Sequence, residues 1–224
     1  MFGNEDLSFE LSYKTSSPAT VPDHPDVIMP NSLFISICLK CFNELCNPVI
    51  DALKKEYFFE LEDGDVELED ILCLISIKIN IFTNLNHLDF IESNQFKVPY
   101  KIYLQDFYNH VSRYGRGLSY LHPKLKGGAA AILSMILKKA LETNLVTPDD
   151  YVVLLASGDL EDKEDMSGLV IYYQKLGFQQ SEPENEYENI IDMEVPMYGK
   201  VGDIVNNCKK IKISKELQQI LDSI

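Results

Sequence analysis

The stretch from Gly127 to Ser157 restricts what this chain can fold into more than any other. Gly127-Gly128 is followed by Ala129, Ala130, Ala131, Ile132, Leu133, Met135, Ile136, Leu137, Ala140 and Leu141. On a helix these residues are apolar nearly all round the axis, so the helix has to be buried. Soon after comes YVVLLAS (151–157), a continuous apolar run. Such a run is typical of a strand covered on both faces. A buried helix beside a doubly covered strand calls for an α/β arrangement in which a sheet is flanked by helices.

Other segments extend that reading. LSFELSYK (7–14) alternates apolar and polar residues, which predicts a strand. Pro18, Pro22, Pro25 and Pro30 exclude helix and central strand from 15–30, leaving a Pro-rich extended connector or disordered arm. Asn31 or Ser32 can cap a helix to about Leu45, with Leu33, Ile37, Cys41 and Leu45 at i+4 spacing. Pro48 starts a second helix to about Lys55. YFFEL (57–61) and EDILCLISIKINIF (69–82) read as strands joined by an acidic turn. Residues 83–113 contain NQFKVPYKIYLQDFYNHV, with room for a strand and a short helix. GLSYLH (117–122) is a short strand that Pro123 ends. A helix over 166–176 carries Met166, Leu169, Val170 and Tyr173 on one face, and Gly177 stops it at the left-handed cap position. Strands from Phe178 and over 190–197 follow, and KISKELQQILDSI (212–224) closes the chain as an amphipathic helix. Acidic loops occupy 158–168 and 181–189.

With 224 residues, 46% of them apolar, the chain suits one domain, 1–224, with a sizeable core. Its net charge of -15 argues against nucleic-acid binding, because phosphate backbones attract Lys and Arg. The same charge can attract cationic amines; equally, it can serve solubility alone. The five cysteines are Cys38, Cys41, Cys46, Cys73 and Cys208. Their odd number and the absence of a signal-like start suggest a reducing, intracellular compartment, the cytoplasm. The densest apolar run, Ile71 to Phe82, is interrupted by Ser76, Lys78 and Asn80 and falls short of the ~18 residues of a membrane span. Cys38, Cys41 and Cys46 lack a fourth ligand at zinc spacing, so no metal is expected.

The turn LSYLHPKLKGGAAAIL (118–133) has a chemistry of its own. Small residues bring backbone close to a helix N-terminus, where unpaired N–H groups and the helix dipole favour an anion. Lys124 and Lys126 reverse the sign of charge locally, and a pyrophosphate is the natural guest. No Gly-Lys-Ser/Thr follows, so this is not a P-loop, and it is not a GxGxxG turn. The plainer alternative is a tight turn into a close-packed Ala-rich helix.

These residues resemble motif A of the GNAT acetyltransferase superfamily, a strand ending in Val-x-Pro followed by Gln/Arg-x-x-Gly-x-Gly/Ala and a helix. Leu121-His122-Pro123 matches the strand end, Lys126 the Gln/Arg position, and Ala129 and Ala131 the small positions. A second register, Lys124-x-x-Gly127-x-Ala129, restores a glycine but shortens the spacing. Tyr173-Gln174-Lys175-Leu176-Gly177-Phe178 is similar to the end of the motif B helix, with YVVLLAS before it as the fifth strand. Met166 stands where many members carry Asn. The resemblance covers residues 115–178.

It implies a GNAT-like fold: a mixed, mostly antiparallel central sheet flanked by helices and splayed between strands 4 and 5. Residues 117–122 would be the fourth strand and 83–113 a family-atypical insertion. It also implies acetyl-CoA as co-substrate. Gly127, Gly128 and Ala129 would offer N–H groups to its pyrophosphate, with Lys124, Lys126 and Ala131 in the same turn. A backbone N–H near Leu121 would hold the acetyl carbonyl, and Tyr173 would protonate the leaving thiolate. The acceptor would be a primary amine of a cationic small molecule, a polyamine or a Lys-containing peptide or protein. His122 is the nearest titratable group to deprotonate that amine, and Asp159 is a comparable choice. Three alternatives stay open: Tyr173 as a packing residue only, a catalytically weak or inactive GNAT-like scaffold that binds a partner, and an unrelated α/β domain that matches the motifs by chance.

Overall fold

Period-two alternation builds the centre of the sheet. Ile75, Ile77, Ile79 and Ile81 recur at every second position of LISIKINIF and are fully buried, while Lys78 between them is exposed. Burying each such side chain contributes roughly 1.5–3 kcal/mol. The computed structural model describes residues 7–16, 19–21, 24–29, 32–41, 73–82, 96–109, 125–156, 163–181 and 194–222. In chain order its elements are β1 (Leu7–Ser16), β2 (Ala19–Val21), β3 (His24–Met29), β4 (Ser32–Cys41), β5 (Cys73–Phe82) and β6 (Tyr100–Asn109). Then come α1 (Gly128–Glu142), β7 (Tyr151–Ala156), α2 (Lys163–Leu176), β8 (Gln179–Gln180), β9 (Val195–Lys200), α3 (Val201–Cys208) and α4 (Lys215–Asp222).

Among the described residues the main sheet has seven strands in the order β1-β4-β5-β6-β7-β9-β8. Every pairing in it is antiparallel except β6 with β7, its fourth and fifth strands, which run parallel. A parallel pair needs a crossover connection, and α1 lies within it. This is the expected mixed, mostly antiparallel GNAT-like α/β sheet flanked by helices.

α1 buries Ala129, Ala130, Ile132, Leu133, Ile136, Leu137 and Ala140 in the same core as the β5 isoleucines, as its all-round apolar sequence requires. Val170, Tyr173 and Leu176 of α2, Ile204 and Val205 of α3, and Leu217 of α4 join that core. A smaller aromatic cluster, centred on Phe96, Tyr100 and Val153, covers the other side of β6 and β7. Phe96 and Tyr100 meet edge to face at 5.5 Å there.

Four sequence expectations need correction or relocation. The helix expected from Asn31 or Ser32 to Leu45 is β4 over its described part, paired with β1 and β5 along its length. Spacing of four is also a multiple of two, and Leu33, Ile35, Ile37, Leu39 and Cys41 alternate without a break. β-branched Ile35 and Ile37 favour the strand. Within the Pro-rich segment 15–30, β2 and β3 form a separate two-stranded sheet. α3 adds a helix where none was expected, although Val201, Ile204, Val205 and Cys208 mark a helix face at i, i+3, i+4, i+7. Cys38 is disulfide-bonded, where the cysteine pattern suggested reduced thiols. The expected helix 48–55 and strand 57–61 lie outside the described residues.

Candidate functional site

The parallel strands separate partway along. β6 and β7 are in register at Tyr100↔Tyr151, Ile102↔Val152, Tyr103↔Val153 and Leu104↔Leu154. Beyond Leu104 β6 runs on to Asn109, and beyond Leu154 β7 runs on to Ala156, with no further pairing between them. A β-bulge sits at the point of separation. Lys78 pairs with Asp106 and Ile79 with Leu104, so Gln105 has no residue opposite it on β5. Such an extra residue bends its strand and re-aims the side chains after it. Without it Asp106 would share the face of Ile102 and Leu104. With it, Phe107 lies opposite buried Ile77, and Asp106 meets Lys78 at 2.6 Å.

The strand that flanks the splay is therefore β6, within the segment 83–113 read as an insertion. The strand expected at 117–122 lies outside the described residues. So do Leu121, His122, Lys124 and Asp159.

The glycine turn leads into α1 as its sequence suggested. Gly127 is the N-cap, with φ 77 and ψ 0 in the left-handed region that glycine tolerates best. Ala131 N–H donates to Gly127 O at 3.0 Å. Helix geometry gives the N–H groups of Gly128, Ala129 and Ala130 no acceptor within α1, although Leu125 before them is helical and Lys126–Gly127 form a hydrogen-bonded turn into the helix. No acidic residue occupies the first turn. Lys126 is exposed beside it.

The two glycines also have a packing role. A Cβ on Gly127 would stand 2.8 Å from Ile211 Cγ2, and one on Gly128 would stand 2.5 Å from Ile75 Cδ1 and 3.2 Å from Leu217 Cδ2. The missing side chains thus let β5 and the C-terminal segment close on the start of α1. Ala129 is buried and Ala131 half-buried. A Gly128 side chain would therefore enter the core, so Gly128 substitutions report on folding before they report on phosphate.

α2 brings tyrosines beside the diverging half of β6. Tyr173 is 6% exposed, and its ring lies 5.9 Å from Phe107 and 5.8 Å from both Tyr172 and Phe178. Tyr172 stacks on Phe107 at 6.2 Å. Burial pushes the Tyr172 hydroxyl well above its usual pKa, and neighbouring Cys208 adds to the shift. Burial also pushes the Cys208 thiol up to about 12. Both groups stay protonated at neutral pH. α2 ends on Gly177 at φ 102, with Gly177 N–H donating to Gln174 O at 3.0 Å and Phe178 N–H to Tyr173 O at 3.1 Å. That double bond is the Schellman closure expected of the Lys-Leu-Gly-Phe sequence.

Phe107 and Tyr172 belong to this cluster although neither is among the residues matched to the two motifs. The signal for Phe107 is the break in alternation after Ile102 and Leu104; Tyr172 was hidden behind its neighbour in the motif.

Chemically, two diverging strand edges leave backbone groups unpaired across a gap, where they can hold a carbonyl or an extended chain. A helix N-terminus suited to an anion belongs to the same β6–α1–β7 unit. Compared with known proteins, the chain matches no family model, no curated protein and no solved structure. What the architecture defines is a GNAT-like α/β fold, splayed between the fourth and fifth strands of its sheet.

Proposed function

We propose that this chain is an acyl-CoA-dependent N-acyltransferase that moves an acetyl group from acetyl-CoA to a primary amine. The parallel β6–β7 pair that opens after Leu104 and Leu154 carries this reading. In it, the pantetheine arm of acetyl-CoA lies in the opening and its pyrophosphate sits at the start of α1. The N–H groups of Gly128, Ala129 and Ala130 face the phosphates, with Lys126 and Lys124 supplying charge. Gly127 and Ala131 shape the turn. The thioester carbonyl takes its hydrogen bond from backbone in the bulged part of β6, around Gln105 to Phe107, in place of the N–H near Leu121.

The reaction is then a direct displacement. The amine nitrogen attacks the carbonyl carbon, a C–N bond forms and the C–S bond breaks. Tyr173 gives its proton to the departing thiolate, and the amine's proton leaves to His122 or to water. Positioning and hydrogen bonding to the developing oxyanion supply most of the acceleration. The acceptor is an amine on a cationic small molecule, a polyamine or a Lys-containing peptide, in keeping with a net charge of -15.

Calorimetric titration of the full chain with CoA tests this. Binding is expected, and Lys126→Glu, an exposed change, should weaken it about 10-fold. A folded chain that binds neither CoA nor acetyl-CoA refutes the proposal. The burial of Tyr173 favours a second reading, a GNAT-like binding protein without catalysis; CoA binding with no acetyl transfer to a panel of amines would select it.

A further inference from the structure

β1 is an edge strand of ten residues, hydrogen-bonded among the described residues only to β4. A long open edge is a template for another strand, and proteins usually blunt or cover one. This edge is apolar on the side that continues the core. Cross-strand partners share a face, and the row Leu11, Ile37, Ile77 and the row Tyr13, Ile35, Ile79 each run from β1 through β4 to β5. Burial fades along both rows. Ile77 and Ile79 are fully buried, but Leu11 is 59% and Tyr13 75% exposed. All of residues 11–15 are exposed.

The order of residues along β1 says what fits this edge. Around Ser12 the strand reads Ser8-Phe9-Glu10-Leu11-Ser12-Tyr13-Lys14-Thr15-Ser16. Set antiparallel to a copy of itself about a two-fold axis at Ser12, it places Glu10 opposite Lys14 twice, once on each side of the axis. It also sets Leu11 opposite Tyr13, extending the apolar face, and Ser8 opposite Ser16. Neighbouring registers lose this match: an axis at Leu11 puts Glu10 against Ser12, and an axis at Tyr13 puts Lys14 against Ser12. Opposite charges and aromatic–aliphatic pairs directly across two strands stabilise the pairing, whereas like charges oppose it.

We propose that β1 is a homodimer interface: two copies of this chain pair β1 to β1, antiparallel about Ser12, joining their sheets into one. The pairing is isologous, as a closed dimer requires, and gives each edge a partner. It is independent of the acyl-transfer reading. Because each copy carries a charge of -15, the pairing strengthens when moderate salt screens the long-range repulsion.

Sedimentation equilibrium on the full chain at ~0.15 M salt tests this, where the screening length is roughly 8 Å. The wild type is expected to dimerise. Glu10→Lys and Lys14→Glu each place like charges opposite one another twice and should raise the dimer Kd about 10-fold. An equimolar mixture of the two variants should associate as tightly as wild type, because each altered position then meets its complement. Circular dichroism on each variant establishes that the fold is intact. A wild type that stays monomeric up to about 1 mM overturns the proposal. So does a dimer that neither variant weakens, or a mixture that recovers nothing.

Discussion

Gly127→Ala should loosen the docking of the C-terminal segment onto the start of α1. Gly127 has φ +77, and holding an L-residue in the left-handed region costs roughly 1–2 kcal/mol. The added Cβ would stand 2.8 Å from Ile211 Cγ2 and 3.2 Å from both Ile213 Cγ2 and Lys212 O. The side-chain ends can shift a little, but the Lys212 carbonyl is backbone, so overpacking adds ~1–3 kcal/mol. The loss is expected to be about 2–5 kcal/mol, a large share of the ~5–15 kcal/mol typical of a domain. Urea unfolding at fixed protein concentration measures the total, and hydrogen exchange over 209–222 locates it. Gly168→Ala is the control. Gly168 lies in α2, is exposed, and a Cβ there meets nothing within 4 Å. That change should stabilise by roughly 0.5–1 kcal/mol through helix propensity alone. If Gly127→Ala matches wild type in urea midpoint and tail protection, the packing account of this turn is wrong.

Tyr173→Phe should lower kcat for acetyl transfer at least ~10-fold with CoA affinity unchanged, since it removes the hydroxyl and keeps the ring between Phe107 and Phe178; an unaltered kcat across pH would leave Tyr173 a packing residue. Cys208 should resist iodoacetamide at pH 8 in the folded chain and react promptly in urea, because it is 4% exposed and its thiol is pushed up to about 12. Raised above the ordinary 9.0, that thiol contributes stability fully below pH 9 and loses it as pH rises toward about 12. Equal labelling rates in folded and unfolded chain would contradict its burial.

Part of this fold was legible before any coordinates. The all-round apolar α1 and the run YVVLLA of β7 demanded a buried helix and a doubly covered strand, and both are present. Gly177 sits in the left-handed conformation where its sequence context placed it, and Gly127, read as part of a tight turn, takes that conformation too. These are local matters: a helix period, a cap or a turn depends on residues a few positions apart. β4 shows where local pattern becomes ambiguous, since i+4 spacing satisfies a strand as well as a helix, and pairing with β1 and β5 decided between them. The position of the splay was further out of reach. The motif pointed to 117–122 as the fourth strand, whereas β6 takes that place through its register with β5 and β7. Its bulge at Gln105, which brings Phe107 to Tyr172 and Tyr173, exists only relative to the partner strand. Local pattern sufficed for the buried helix α1, the buried strand β7 and the glycine turns at the ends of α1 and α2. Tertiary structure decided which strand lies beside which, where the pair opens and what packs against the glycines, because those contacts join segments far apart in the chain and no local periodicity records them.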